Sequence, residues 1–260
     1  LRVANELEQE ILTIGAGNVM AFVAEPVVGA TMGAVPAVAG YFTRIREICD
    51  QYGVLLILDE VMCGMGRIGK LFACEHDGVV PDLLCLAKGL GAGYQPIGAM
   101  LASDKIYQAV AQGSGLFQHG YTYMGHPIAC AAALAVTHKI LNEGLLDQVV
   151  RRGEYLHGAL GDMFEGHPNV GDIRGLGLFQ GIELVSDRST KAPLLPSLGT
   201  AGKIKKAAFE AGLVCYPMAG TIDGVQGDHI LLAPPFIISE TQIDELVAKL
   251  GQSINEVLAN

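Results

Sequence analysis

A single lysine in a glycine-rich turn is the most chemically suggestive residue of this chain. Lys88 follows the apolar run at residues 83–87 and precedes Gly89, Gly91 and Gly93. The run predicts a buried strand, so the ammonium form of Lys88 is expected to be poorly solvated and the neutral amine to become accessible. A neutral lysine amine forms a Schiff base with an aldehyde. The segment therefore predicts a site for covalent chemistry.

Two adjacent carboxylates end a second apolar run, at residues 54–58. They are Asp59 and Glu60, and apolar residues follow them, so we expect at least one carboxylate to lie in an apolar setting. A buried carboxylate needs a cationic or hydrogen-bonding partner, and a protonated pyridine nitrogen would serve. An exposed pair closing a strand is the ordinary alternative. The presence of Lys88 favours a cofactor site in which Asp59 holds the ring nitrogen.

A third segment, residues 118–127, is rich in hydrogen-bonding groups but contains no Asp, Glu, Lys or Arg. The Thr122 hydroxyl and nearby backbone N–H groups could form a neutral cradle for a phosphate. A turn that caps a helix starting near Ala129 explains the same residues equally well. The segment alone does not choose between the two.

Residues 64–70 match two short phosphate-loop patterns, GxGxxG and GxxxxGK. Five residues separate the preceding apolar run from Gly64, and no helical pattern clearly begins there. Leu71 also replaces the Ser or Thr that would hold magnesium. These departures favour a flexible turn over a nucleotide site.

The composition excludes several classes of partner. The 260 residues are 50% hydrophobic, and 27 acidic residues against 17 basic ones give a net charge of -10. Such a chain offers no basic surface for nucleic acid or an anionic membrane. The longest uncharged stretch, residues 106–138, is interrupted throughout by polar residues, so we expect no membrane partner.

Cysteine usage points to a reducing compartment. Most of the six cysteines lie inside apolar runs, with neither a CxxC pair nor a zinc-like spacing to histidine. They are Cys49, Cys63, Cys74, Cys85, Cys130 and Cys215. We expect small buried side chains, a cytoplasmic location and no metal site.

Apolar runs and helical patterns alternate in the first half of the chain. Strands are predicted at residues 20–24, 54–58, 83–87 and 98–102, with helices at residues 3–12 and 41–52. Alternation of this kind predicts an α/β fold with a mostly parallel sheet, flanking helices and functional groups at the carboxyl ends of the strands.

The second half changes in character and predicts a smaller α+β domain. Helices are predicted at residues 129–141, 145–164, 201–211 and 240–258, and strands at 176–185, 213–216 and 230–233. We place the boundary near residue 140. Residues 1–140 then form part of a large domain, and residues 141–260 form the small C-terminal domain.

These segments together resemble the class III pyridoxal-phosphate-dependent aminotransferases of fold type I. The resemblance extends over essentially the whole chain, in order, and matches the C-terminal part of such an enzyme. The segments that carry it are residues 24–30, 58–61, 86–99, 119–127, 174–178 and 227–235.

The resemblance implies a role for each matching residue. Lys88 would carry the Schiff base with pyridoxal 5'-phosphate and then transfer protons. Asp59 would pair with the pyridine nitrogen, Val61 would pack against one face of the ring, and Glu25 would support the site as a polar neighbour. The enzyme would be a transaminase that stores the amino group on its cofactor in a ping-pong cycle.

The resemblance also implies partners. Thr122, with Tyr121 beside it, would reach the phosphate of the neighbouring subunit's cofactor, which requires a homodimer or a higher homo-oligomer with shared active sites. The small-molecule partners would be an amine or amino acid donor and a keto acid acceptor.

Two departures from the family bear on the substrate. The ornithine and 4-aminobutyrate branch has a glutamate and an arginine where this chain has Ala30 and Ile230. The pattern is closer to the omega-amine or β-amino-acid:pyruvate branch, which implies pyruvate as an acceptor. Arg174 is a candidate carboxylate ligand, although a structural ion pair explains it as well. An aminomutase, another enzyme of the same family, or a non-catalytic fragment of the fold are the alternatives.

Overall fold

A computed structural model describes residues 1–258 of the chain. Its strands, in chain order, are β1 (Ala21–Ala24), β2 (Val27–Val28), β3 (Val35–Pro36), β4 (Leu55–Asp59), β5 (Leu83–Leu86), β6 (Ala99–Ala102), β7 (Val170–Leu176), β8 (Phe179–Leu184), β9 (Tyr216–Ala219) and β10 (Asp228–Leu232). Its α-helices are α1 (Arg2–Ile14), α2 (Tyr41–Tyr52), α3 (Asp104–Gln112), α4 (Pro127–Asn142), α5 (Leu145–Met163), α6 (Thr200–Glu210) and α7 (Glu240–Leu258).

The chain divides into two compact units. The first comprises Leu1–Pro26, Ala37–Gly66 and Lys70–Glu143, and the second comprises Val27–Pro36, Arg67–Gly69 and the described residues from Gly144 onwards. Two short segments from the first half of the sequence therefore belong to the second unit. The assignment of residues 1–140 and 141–260 to functional domains stays a prediction.

The first unit is built on a mostly parallel sheet in the order β1-β4-β5-β6. The β1–β4 and β4–β5 pairs are parallel, and β6 joins β5 in the antiparallel sense. Leu56, Leu58, Leu84 and Leu86 are buried, which is the reason that these uninterrupted apolar runs form strands. The predicted α/β architecture is confirmed, and the predicted helix at residues 41–52 coincides with α2.

A partly buried ion pair anchors the amino end of β5. The Asp82 carboxylate accepts hydrogen bonds from Leu56 N–H at 2.8 Å and from Arg46 Nη1 at 2.9 Å. Burial disfavours the charge, but these two hydrogen bonds outweigh it, so the pKa of Asp82 is lowered. The pair connects α2, β4 and β5 at the edge of the sheet opposite the strand ends that carry Asp59 and Lys88.

The second unit contains an antiparallel sheet in the order β7-β8-β10-β9. Its core combines strand residues such as Ile182 and Ile230 with helix residues such as Leu156, Ile204 and Leu250. Helices α5 and α6 both pack against α7. This arrangement confirms the predicted α+β half of the fold.

The strand predicted at residues 176–185 corresponds to β8, but the pattern did not predict β7, which forms a hairpin with it. Strands β7 and β8 pair through Leu176 and Phe179, and Gly177 between them has φ of +52°. An added Cβ at Gly177 would lie 2.8 Å from the Ile68 Cα, so a side chain has no room there. The glycine permits both the backbone conformation and the close approach.

The described part of the chain also contains elements that the pattern did not predict. Strands β2 and β3 form a short antiparallel hairpin in the second unit. The strand predicted at residues 213–216 lies slightly later, as β9. Within residues 1–258, no helix combines the length and the apolar character needed to cross a membrane.

Candidate active site

Three predicted site residues lie at one edge of the first sheet. Glu25 follows β1, Asp59 ends β4, and Lys88 lies two residues beyond β5. The parallel register pairs Ala24 with Leu58 and Asp59 with Cys85, so these strands end at nearly the same level. The fold therefore brings a carboxylate and an amine to adjacent strand ends, in the position where α/β sheets bind ligands.

The backbone of Lys88 adopts an unfavourable conformation at this edge of the sheet. Its φ is +38°, a left-handed conformation that non-glycine residues rarely adopt, and it begins a short 3-10 helix, Lys88–Leu90. Residues in such conformations persist where the surrounding structure determines them, and they cluster at functional sites. The expected burial of Lys88 is wrong for the described chain, because its side chain is exposed. The strand ends at Leu86, before the lysine, so burial of the strand does not extend to it.

The backbone around Lys88 is closely packed. An added Cβ at Gly91 would lie 2.5 Å from the Gln95 carbonyl oxygen, and one at Gly89 would lie 3.0 Å from the Met65 Cβ. Helix α4 packs against the 3-10 helix that contains Lys88. These contacts hold the turn in one conformation and explain how it maintains an unfavourable φ.

Asp59 is half-buried and is oriented by the turn that follows it. Its Oδ1 accepts a hydrogen bond from the backbone N–H of Val61 at 2.9 Å. Val61, the predicted ring neighbour, is half-buried in the same turn. Burial, and secondarily the charge of Asp59, raise the pKa of the Cys85 thiol. That thiol is on the neighbouring strand, where Cys85 pairs with Asp59 in the parallel register.

The fully buried carboxylate of the pair is Glu60, not Asp59. Glu60 is 1% exposed, and its two oxygens accept hydrogen bonds from Ala73 N–H at 2.6 Å and Cys74 N–H at 2.7 Å. Burial raises the pKa of Glu60, and these hydrogen bonds partly offset the effect. The Cys74 thiol is buried beside this carboxylate, and burial together with the Glu60 charge raises its pKa to about 12. The apolar residues on both sides of the pair indicated a buried carboxylate but not which one.

Tyr121 and Thr122 lie on an exposed turn that precedes α4. Both side chains are exposed, and Met124 N–H donates to the Tyr121 carbonyl at 3.0 Å. The His126 Nδ1 accepts from Ala129 N–H at 3.4 Å and caps α4. The helix-capping role considered for this segment is therefore present. A phosphate-binding role for Thr122 stays a prediction.

Residues 64–70 form turns rather than a phosphate loop. Met65, Gly66 and Gly69 have positive φ, and no helix begins between residues 60 and 72 of the described chain. The Arg67 Nη1 donates to the carbonyl oxygens of Leu178 at 3.1 Å and Pro234 at 2.6 Å. Burial lowers the pKa of this guanidinium to about 10. Arg67 therefore connects two other parts of the second unit, and the segment is a turn, as the sequence indicated.

The guanidinium of Arg174 is engaged within the second unit. Its Nε and Nη2 donate to the carbonyl oxygens of Gly33 at 2.9 Å and Met32 at 2.6 Å. Its Nη1 contacts the carboxylates of Asp172 and Glu183. These contacts favour the structural ion pair over the carboxylate ligand.

The two residues that depart from the ornithine and 4-aminobutyrate branch are equally unsuited to bind a carboxylate. Ile230 is 0% exposed in the core of the second unit, and Ala30 is half-buried with an apolar side chain. Neither side chain carries a charge or a hydrogen-bond donor. Neither of these two side chains therefore offers a group that binds a carboxylate.

Comparisons of sequence and of structure both find aminotransferases similar to this chain. Residues 1–254 match the family described as Aminotransferase class-III. An aminotransferase from Gibberella zeae is 47% identical over 254 residues, which are 97% of this chain and 50% of that protein. The crystal structure of an (S)-enantioselective omega-transaminase from Thermomicrobium roseum has a TM-score of 0.91 and 37% identity, covering 99% of this chain and 55% of that one. The PMP-bound aminotransferase from Vibrio fluvialis has a TM-score of 0.90 and 35% identity, covering 100% and 56%. The chain thus spans about half the length of these relatives.

Proposed function

Because this chain belongs to the class III aminotransferase family, we propose that the protein transfers an amino group from an amine or omega-amino acid to a keto acid such as pyruvate. The observation that carries the proposal is the placement of Asp59 and Lys88 at the carboxyl ends of two adjacent parallel strands, with Lys88 in a left-handed conformation. The similarity to an omega-transaminase supports the choice of donor.

The cofactor that we propose is pyridoxal 5'-phosphate, and the residues at the sheet edge fit it. A carboxylate oriented by Val61 N–H has further acceptor capacity for a protonated ring nitrogen. An exposed primary amine lies at the neighbouring strand end. The PMP-bound state of the aminotransferase from Vibrio fluvialis supports a cofactor of this class. When bound, it would supply an electron-withdrawing ring that stabilises negative charge at the carbon that loses its proton.

Each residue then has a defined task. Lys88 Nζ would attach the cofactor covalently, and after the substrate amine displaces it, Nζ would take a proton from the substrate carbon and return it. The Asp59 carboxylate would keep the ring nitrogen protonated by ion pairing. Val61 would cover one face of the ring, and Glu25, at the end of β1, would contribute a polar group.

We propose that the active unit is a homodimer or a higher homo-oligomer. Tyr121 is 77% exposed, and the uncharged segment around it also exposes Phe117, Tyr123 and Met124. Exposed aromatic and methionine side chains of this density mark a protein interface. In the assembly, Thr122 and Tyr121 would reach the cofactor phosphate of the partner subunit.

The two halves of the sequence would have separate roles. Residues 1–140 would contribute the C-terminal part of the large cofactor-binding domain, and residues 141–260 would form the small C-terminal domain. The burial of Cys49, Cys63 and Cys74 supports the proposed cytoplasmic location, because buried thiols of this kind are typical of a reducing compartment.

Borohydride reduction followed by peptide mass mapping tests the central assignment. Reduction of the protein with bound pyridoxal phosphate is expected to place a pyridoxyl adduct on Lys88. An adduct on another lysine, or no adduct, would refute the assignment. A panel of amine donors with pyruvate tests the reaction class, because a transaminase releases alanine and an aminomutase does not.

A further inference from the structure

Glu60, the residue that follows β4, is a buried carboxylate with two backbone hydrogen bonds. The side chain is 1% exposed, and each of its oxygens accepts one short hydrogen bond from the backbone of the 3-10 helix Ala73–His76. Each oxygen therefore has a charge-assisted bond to an N–H that has no freedom to move away. The carboxylate connects the end of β4 to a segment 13 residues further along the chain.

The backbone of Glu60 is fixed at the same time. Its N–H donates to the Cys85 carbonyl on β5 at 2.9 Å, and its carbonyl accepts from Gly64 N–H at 2.9 Å. An added Cβ at Gly64 would lie 2.9 Å from the Glu60 Oε2. The turn at residues 60–64 therefore folds tightly around this side chain, and the glycine is the residue that permits it.

The same turn orients Asp59. The N–H of Val61 donates to the Asp59 Oδ1. Val61 lies within the turn that the hydrogen bond from Gly64 N–H to the Glu60 carbonyl closes. Glu60, the residue after β4, is buried, whereas Asp59, the last residue of the strand, is half-buried. A change at Glu60 is transmitted to Asp59 through the backbone that they share.

We propose that Glu60 is a positioning residue that holds Asp59 and Val61 in the orientation needed to bind a protonated pyridine nitrogen. The inference rests on the proposed function. Glu60 itself does not contact the reacting atoms. Its contribution is to fix the turn at residues 60–64 from the side opposite the ligand.

The substitution Glu60→Gln tests this role, with Glu75→Gln as the matched control. The amide keeps the shape of Glu60 but turns one of its two acceptors into a donor that faces a backbone N–H. Glu75 is exposed and accepts Phe72 N–H at 2.7 Å in the same segment, so its variant removes a neighbouring carboxylate charge but keeps an amide oxygen for that bond. The readouts are the dissociation constant for pyridoxal phosphate and the pH midpoint of the absorbance of the bound cofactor, with Asp59→Asn as the reference.

A second variant covers the case in which Glu60→Gln does not fold. Glu60→Asp keeps the carboxylate charge but shortens the side chain by one methylene, so the carboxylate cannot keep both hydrogen bonds at their present lengths.

We expect both variants to weaken pyridoxal phosphate binding at least tenfold and to move the pH midpoint towards that of Asp59→Asn. Glu75→Gln should remain within twofold of the wild type. A loss of thermal stability with an unchanged dissociation constant and midpoint would mean that Glu60 is merely structural, which overturns the proposal. Failure of the wild type to bind the cofactor would overturn the proposed function as well, so the two failures are distinguishable.

Discussion

The left-handed backbone at Lys88 makes a prediction about stability that is independent of any assay of catalysis. Replacement of Lys88 by Gly and by Ala removes the same amine in both cases. The two variants differ in whether the residue can adopt φ of +38° without strain. Because the lysine side chain is exposed, its removal by itself should change the free energy of unfolding by less than about 0.5 kcal/mol.

The size of the difference follows from two opposing effects. A left-handed conformation costs a residue with a Cβ about 1–2 kcal/mol, and glycine avoids this cost. Glycine in turn loses more conformational entropy on folding than alanine, which destabilises the folded state by about 0.5–1 kcal/mol. The expected net result is that Lys88→Gly is more stable than Lys88→Ala by about 1 kcal/mol. This difference corresponds to a Tm that is higher by about 3 °C.

The assay is thermal and urea unfolding of the cofactor-free protein, followed by circular dichroism. Lys139 provides the control because it lies within helix α4, and both of its variants lose the same contact with Glu143. There the order should reverse, with Gly less stable than Ala by about 1 kcal/mol. Equal stabilities of the two Lys88 variants, or a less stable glycine variant, would refute the idea that the turn stores strain at the lysine.

Three further substitutions test the packing and electrostatics within the two units. Asp82→Asn should lower the free energy of unfolding by about 2 kcal/mol at pH 7, because it weakens two charge-assisted hydrogen bonds, whereas Asp50→Asn should have little effect because Asp50 is exposed. Because the pKa of Asp82 is lowered, its carboxylate contributes to the free energy of unfolding above the unfolded-state pKa, and this contribution disappears as the pH falls through the folded-state pKa. The free energies of unfolding of Asp82→Asn and of the wild type, measured with urea, should therefore converge in acid. Gly177→Ala should destabilise the second unit by about 2–3 kcal/mol in thermal unfolding. Gly199 has a similar φ but open space around it, so Gly199→Ala should cost only about 1 kcal/mol. Equal costs of the two substitutions would contradict the close packing at Gly177. Arg174→Gln should lower stability by about 2 kcal/mol but change the KM for pyruvate less than twofold, and a KM raised tenfold at unchanged stability would instead identify Arg174 as a carboxylate ligand.

Much of the fold was predictable because the relevant signals are local. Long apolar runs specified β4 and β5, and helical periodicity specified α2 and α7 to the residue. The hairpin at Gly177 was not predictable in the same way. Strand β7 contains Asp172 and Arg174 and so lacks a long apolar run, and the turn that joins it to β8 depends on the close approach of Ile68 from a distant part of the sequence.

For the candidate site too, some features were predictable from local sequence and others depended on tertiary packing. The sequence by itself determined that an amine and a carboxylate would end neighbouring strands, because parallel strands deliver their carboxyl ends to one edge. Only the tertiary structure decided that Glu60 is the buried carboxylate, since its cover comes from Ala73 and Cys74 beyond a long turn. It also decided that Lys88 is strained and exposed. Burial depends on which segments pack over a side chain, and local sequence does not contain that information.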